Sequence, residues 1–343
     1  MAQASPTPNV LVHVGYGYGT FVAVGLSGTL ITSADEGVTW TAQSTGTAAR
    51  LDSVACGEGS FVVTGSGGVE VLSGGALPSR LANLSSRSSV GTGANVLIAG
   101  FVVGGTGPKH VVIRGVGPTL VQFGVPGALI QPMLSLVNSS GVTLETNSTW
   151  GGGSSLVLAF SQVGAFPFPE ASADAAMLAT LGTGAYTAGL SGLSSTTGVG
   201  LAEIYDADAG TSTSRLVNLS SRASVGTGGN ILIAGFVITG NMPERVLIRG
   251  IGPALTQFGV PGALATPQLV LFDSNNDALQ SNSGWGGGPG LSQTFAQVGA
   301  FALGAGSADA AILVTLPPGA YTAELTGANG SSGVGLAEIY EAQ

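Results

Sequence analysis

Residues 79–103 read SRLANLSSRSSVGTGANVLIAGFVV, and residues 214–238 read SRLVNLSSRASVGTGGNILIAGFVI. The second stretch starts 135 residues after the first, and the offset holds to the end of the chain. Arg114 maps onto Arg249, Trp150 onto Trp285, Asp174 onto Asp309, Glu203 onto Glu338 and Tyr205 onto Tyr340. A unit of this length exceeds the roughly 20–50 residues of solenoid repeats and has the size of a domain. Within it, NILIAGFVITG, ERVLIRGIG, PQLVLFDSN, DAAILVTL, GAYTAELTG and VGLAEIYE are β-branched or aromatic runs bounded by Gly, Pro and Asn. Such runs read as strands. The helical candidates, 156–166 and 291–301, are too short to change the class. The expected fold is all-β: two tandem β-sandwich or jelly-roll-like modules, 77–211 and 212–343, whose inner faces bury the core.

Ahead of the modules lies a different pattern, also duplicated. Gly19, Phe21, Gly25 and Gly28 return 40 residues later as Gly59, Phe61, Gly65 and Gly68. An extended arm, 1–8, would precede this β segment, 9–76. SADEGVTW at 33–40 resembles the Asp-box hairpin of sialidase-like and photosystem-assembly-like β-propellers. That resemblance implies a structural turn built on Ser33, Asp35, Gly37, Thr39 and Trp40, away from any catalytic centre. A propeller needs about 4–8 blades, and the segment has room for roughly two, so it reads as a propeller-blade-like fragment. The tandem modules, through LPPGAYTAELTGANGSSGVGLAEIYE at 316–341, resemble β-sandwich modules near the C-termini of large secreted proteins of Verrucomicrobia-like bacteria. They also resemble bacterial pre-peptidase C-terminal domains. Both resemblances imply a surface, binding or sorting part.

Composition narrows the function. Charged residues make up 8% of the 343, Gly numbers 58 and the net charge is −9, against about 25% charged in ordinary soluble domains. A surface so poor in charge offers little repulsion to close packing against other copies. A single lysine, Lys109, and nine cations in all speak against nucleic acid, which needs clustered positive charge. Apolar runs are too short and broken for a transmembrane helix of about 20 residues. The one cysteine, Cys56, cannot form an intrachain disulfide and reads as a small buried residue. No signal peptide is visible at the start, although Ala-Gln-Ala at 2–4 fits a cleaved remnant.

The chain carries no G-x-S-x-G, H-E-x-x-H or Walker pattern. Asp174, Asp309, Glu203 and Glu338 recur among apolar neighbours, as do Arg114 and Arg249. These are read first as repeated ion pairs, with calcium as the alternative cofactor and acid–base chemistry a third reading. Asp273 to Asp277 reads as a solvated turn in place of a metal loop. Trp150 and Trp285 stand in Gly-rich loops, where a flat ring could stack on a sugar, plug the sandwich or bury at a subunit interface. The leading expectation is a non-enzymatic, extracellular or cell-surface structural protein, polymerising as a homo-oligomer into a fibre, tube or layer. The alternative is a carbohydrate-binding or adhesion protein contacting cell-surface glycan through the Trp loops.

Overall fold

The computed structural model describes residues 5–17, 20–33, 37–57, 60–66, 68, 70–72, 79–208 and 212–342. Asp35, the first four residues of the expected arm and the side chain of Cys56 lie outside this description. Two compact units emerge. One is Met1–Ser79 with Gly240–Pro243, and the other Arg80–Thr239 with Glu244–Gln343.

In the first unit, β1 (Leu11–Gly17), β2 (Thr20–Gly25), β3 (Leu30–Ser33) and β4 (Thr41–Gln43) form one antiparallel sheet. A second sheet contains β5 (Leu51–Gly57), β6 (Ser60–Gly65) and β7 (Glu70–Leu72). The 40-residue spacing reappears as register. Tyr16 faces Phe21 as Cys56 faces Phe61, and the bulge between Leu11 and His13 recurs between Leu51 and Ser53. Val22, Val24, Leu30, Leu51, Val54, Phe61, Val63 and Met242 close the small core. Ser33 Oγ accepts the Gly37 N–H at 2.9 Å, and the Trp40 indole donates to the Gly37 carbonyl at 3.1 Å. Gly37 has φ +85, a conformation most side chains avoid.

The second unit is all-β, organised as one large mixed sheet. The first repeat supplies β8 (Arg80–Val90), β9 (Leu97–Gly105), β10 (Lys109–Val116), β11 (Pro132–Asn138), β12 (Thr143–Asn147), β13 (Ala175–Leu181), β14 (Gly184–Gly192) and β15 (Gly198–Asp206). Its helix α1 is Ser154–Gln162. The second repeat supplies β16 (Ser214–Val225), β17 (Leu232–Thr239), β18 (Glu244–Ile251), β19 (Pro267–Phe272), β20 (Ala278–Asn282), β21 (Ala310–Leu316), β22 (Gly319–Gly327) and β23 (Gly333–Glu341). Its helix α2 is Pro289–Gln297.

Each repeat arranges its strands as β8-β15-β10-β13 and β9-β14-β11-β12, or the equivalents 135 residues on. Strand alternation is regular, as in the burial of every second residue from Leu97 to Val103, so inward side chains meet in one core. That core mixes the repeats: Phe101, Leu134 and Ile204 belong to the same cluster as Phe236, Leu269 and Ile339.

The reason is strand exchange at the repeat boundary. β8 pairs on one edge with β15 of its own repeat and on the other with β17 of the second. β16 pairs likewise with β23 and with β9 of the first. Two eight-strand runs result, β13-β10-β15-β8-β17-β22-β19-β20 and β21-β18-β23-β16-β9-β14-β11-β12, and neither closes into a barrel. β8 and β16 also meet in parallel, with Leu81 opposite Leu216 and Ser89 opposite Ser224. Between these bridges the buried hydroxyls of Ser86 and Ser221 are hydrogen-bonded. Each of these pairs joins a residue to its own copy, so a pseudo-twofold axis runs between β8 and β16 along the strand direction.

A glycine makes the exchange fit. At Gly235, opposite Ser85, a Cβ would lie 2.7 Å from Ser85 Oγ, and at Gly100 it would lie 2.5 Å from Ser220 Oγ. The same Ser and Gly therefore recur in both copies of the quoted motif.

An isolated first repeat, residues 79–208, exposes the edges that β17 and β16 cover. We expect it to elute as a dimer that rebuilds the pseudo-twofold, or to fail to fold. Light scattering on the eluting species checks this, and a stable folded monomer would contradict it.

Candidate functional site

The chemistry-bearing residues gather on β10 and β18. Register sets Arg114 opposite Glu203 and Arg249 opposite Glu338. Both arginines are fully buried. Arg249 Nε donates to Glu338 Oε2 at 2.8 Å, with Nη2 also 2.8 Å from that oxygen, and its Nη1 donates to the Phe301 carbonyl at 2.6 Å. Arg114 makes a looser pair, Nε to Glu203 Oε2 at 3.3 Å, and its guanidinium nitrogens find no hydrogen-bond acceptor. The other carboxylate oxygen in each pair accepts a tyrosine hydroxyl, Tyr205 at 2.7 Å and Tyr340 at 2.9 Å. Burial raises the pKa of Glu203 and Glu338, the neighbouring arginine pulling the other way. Burial likewise lowers that of Arg114 and raises those of both tyrosines.

Aromatic rings enclose the cations. The Arg114 guanidinium lies 4.5, 4.2 and 4.1 Å from the Phe160, Phe166 and Phe168 centroids. Arg249 lies 4.9 and 4.2 Å from Phe295 and Phe301. These are cation–π distances, and a desolvated contact of this kind stabilises by about 2 kcal/mol.

Asp174 and Asp309 serve the neighbouring loop. Asp174 Oδ1 accepts the Gly117 N–H at 2.6 Å, and its Oδ2 takes the hydroxyls of Thr119 and Ser172. Asp309 accepts the N–H groups of Gly252 at 2.7 Å and Ala254 at 3.2 Å, together with the Ser307 hydroxyl. Their own carbonyls accept the backbone N–H of Trp150 and Trp285, at 2.8 and 2.7 Å. Both indoles are buried, 6% and 5% exposed, and donate to the carbonyls of Pro169 and Gly304 at 3.1 and 2.8 Å. Trp150 packs on Phe160 and Phe168, Trp285 on Phe295.

The repeated residues of the sequence are thus brought together as two copies of one buried network. Its carboxylates meet arginine, tyrosine, serine, threonine and backbone donors. Asp273 Oδ1 accepts the N–H groups of Asn275 and Asp277, each at 2.9 Å, within its own turn. Among the described residues no group of three or more His, Cys, Asp or Glu is placed to hold a metal ion, and no helix is long and apolar enough to cross a membrane.

The sequence reading missed a second charged cluster, because its residues differ between the repeats. Lys109 is fully buried and pairs with Asp206 at 2.5 Å and Asp208 at 3.0 Å, while donating to the Ser214 carbonyl at 3.0 Å. His110 Nδ1 lies 2.7 Å from Asp208. In the second repeat Glu244 replaces Lys109 and Glu341 replaces Asp206. Glu341 accepts the Leu81 N–H at 2.9 Å and pairs with Arg215 at 3.1 Å. Burial and the Glu341 charge together push the Glu244 carboxyl up to about 7, with Arg215 opposing them. A substituted lysine signals this cluster only when the two copies are aligned.

Comparison with known proteins adds little. No protein-family profile matches the chain, and no curated protein does. Among solved structures, "Crystal Structure of the STIV MCP" is 12% identical over 77% of this chain and 97% of that one, with a TM-score of 0.20. A DUF4785 family protein from Legionella pneumophila is 9% identical over 76% and 82%, with a TM-score of 0.20. Bacillus subtilis oxalate decarboxylase is 8% identical over 84% and 75%, with a TM-score of 0.14. Overlaps this weak carry no argument.

Two outcomes follow from the charges. Glu338→Ala strands the buried Arg249 cation and should cost about 3–5 kcal/mol, whereas Arg249→Met with Glu338→Leu should recover most of it; urea unfolding measures both. For Glu244 the folded state holds its proton more tightly than the unfolded chain, so stability falls as pH rises from the ordinary carboxyl range through about 7. Glu244→Gln should flatten that slope and melt about 2–4 °C higher than wild type at pH 8, as read by calorimetry.

Proposed function

We propose that the chain is a non-enzymatic, extracellular structural subunit that polymerises end to end through its sheet edges. The strand order within each repeat supports reading each as a jelly-roll-like module, and the first unit as its propeller-blade-like companion. The observation that carries the function is the state of the four strands that terminate the two runs. Among the described residues, β12 and β13 of the first repeat, and β20 and β21 of the second, each pair on one side only.

Soluble proteins protect such edges with charge, above all lysine, or with proline. Here the four strands hold one charged residue, Glu145, and no proline or lysine. β12 and β20 lie at the surface, with Leu144 47% and Leu279 46% exposed. The pseudo-twofold makes the two ends near-equivalent. A subunit with two self-complementary ends extends into an open chain instead of closing as a dimer, and strand addition supplies the contact. The sparse surface charge leaves little repulsion against that growth. The buried ion-pair networks fit this role as stiffening of each end, with the glutamates paired to arginine and tyrosine and the aspartates to hydroxyl and backbone donors.

The test is Leu144→Lys with Leu279→Lys, which places a charge on each edge at positions too exposed to cost more than about 0.5 kcal/mol in folding. Wild type should form regular polymers by electron microscopy and light scattering, and the double variant should stay dispersed. A wild type that remains monomeric at high concentration, or a variant that assembles as well, contradicts the proposal.

A further inference from the structure

The chain's single lysine stands where a lysine is hard to keep. Lys109 opens β10 on the same face as Val111 and Ile113, both in the shared core, and is itself fully buried. Its Nζ lies 2.5 Å from Asp206 Oδ1 at the end of β15 and 3.0 Å from Asp208 Oδ2 just beyond, with the Ser214 carbonyl of β16 also at 3.0 Å. Asp208 is steadied from its other side. Its Oδ2 accepts the His110 backbone N–H at 3.2 Å, and its Oδ1 meets His110 Nδ1 at 2.7 Å. Asp206 Oδ2 is buried and accepts no hydrogen bond among the described residues, while Arg80 Nη1 stands 4.0 Å from it. In the second repeat Glu244, Glu341 and Gln343 occupy the positions of Lys109, Asp206 and Asp208. The corresponding strands β18 and β23 pair there all the same, so the fold does not require an amine between two carboxylates.

We propose that Lys109 and Asp206 condense into an intramolecular isopeptide bond, with Asp208 moving the protons. A nitrogen 2.5 Å from Oδ1 lies about 3–3.5 Å from Cγ, which is the near-attack range. The environments of the two carboxyls push them toward opposite roles, the pattern that marks an acid and its base. Burial raises the pKa of Asp206, with Lys109 pulling the other way. Burial pushes the Asp208 carboxyl up as well, but the hydrogen bonds of His110 and Lys109 outweigh it and hold that group below its ordinary value. The Lys109 ammonium passes one proton to the Asp206 carboxylate, leaving a neutral amine beside a carboxylic acid. The Nζ lone pair adds to Cγ, and the charge that develops on Oδ2 faces Arg80. Asp208 takes a proton from the nitrogen and delivers it to the departing Oδ1 hydroxyl. The Cγ–Oδ1 bond breaks, the Nζ–Cγ amide remains and one water leaves, with no oxidant or cofactor needed. Burial favours the product, because a dry ion pair carries the desolvation of two charges and the amide carries none.

The bond ties the start of β10 to the point where the chain leaves the first repeat. That joint is separate from the sheet edges, so cross-link and polymerisation stand or fall independently. Mass spectrometry of the denatured full chain tests it. Wild type should weigh one water less than its sequence. Trypsin should release residues 88–114 and 115–215 as one branched species, uncut at Lys109. Lys109→Met and Asp206→Ala should each restore the full mass, and Asp208→Asn should slow the loss of water at least about tenfold. The wild-type mass decides the matter whether or not the variants fold. A wild type of full mass, a missing water confined to a linear peptide, or an Asp208→Asn chain that cross-links as fast as wild type would overturn the assignment.

Discussion

The close approach of β8 to β16 is the constraint on which the larger unit depends. Ser86 meets Ser221 in a fully buried contact, and on either side each strand takes its outer partner from the other repeat. Only small residues tolerate this geometry. The Ser-Ser pair of NLSSR and the Gly of LIAGF are the points where the exchanged strands touch, so the most faithfully repeated stretch of the chain is the one that joins the copies. Exchange gives the two repeats one core of shared apolar clusters, and hydrophobic burial is then a property of the pair.

From that joint the remaining features follow outward. β10 and β18 lie two strands from the axis in their own repeats, and carry buried arginines aligned by register with glutamates on β15 and β23. Isolated buried charges would be ruinous, and each is compensated by a carboxylate, a tyrosine and a cage of phenylalanines. The aspartates tie the loop after β10 or β18 to the Trp-bearing loop through backbone bonds. Further out, the edges β12, β13, β20 and β21 carry a single charged residue, Glu145, and there the proposed assembly acts.

Much of this was legible in the sequence. Alternating β-branched runs gave the all-β class, and the short LVLAFSQ and GLSQTFAQ segments are the helices α1 and α2. The pairing of repeated arginines with repeated glutamates is visible as co-repetition of scarce charge. The cross-repeat pairing was not legible, because strand alternation states which face is buried but not which neighbour covers an edge. Nor was the burial of the tryptophans decided by their Gly-rich loops. The backbone bond from Trp150 to Asp174 fixes the loop, the indole bond to the Pro169 carbonyl holds the ring against Phe160, and both bonds join residues far apart in the chain. The Lys109 to Glu244 exchange was hidden for the opposite reason, since attention to what repeats passes over what differs.

Native-state hydrogen exchange under increasing denaturant tests the joined-core account most directly. If the exchange of strands makes one cooperative body, the amides of β8, β9, β16 and β17 exchange slowest, and the cores of both repeats open at a common free energy. A first repeat that opens while β18, β22 and β23 of the second stay protected would show two independently stable modules, and would contradict it.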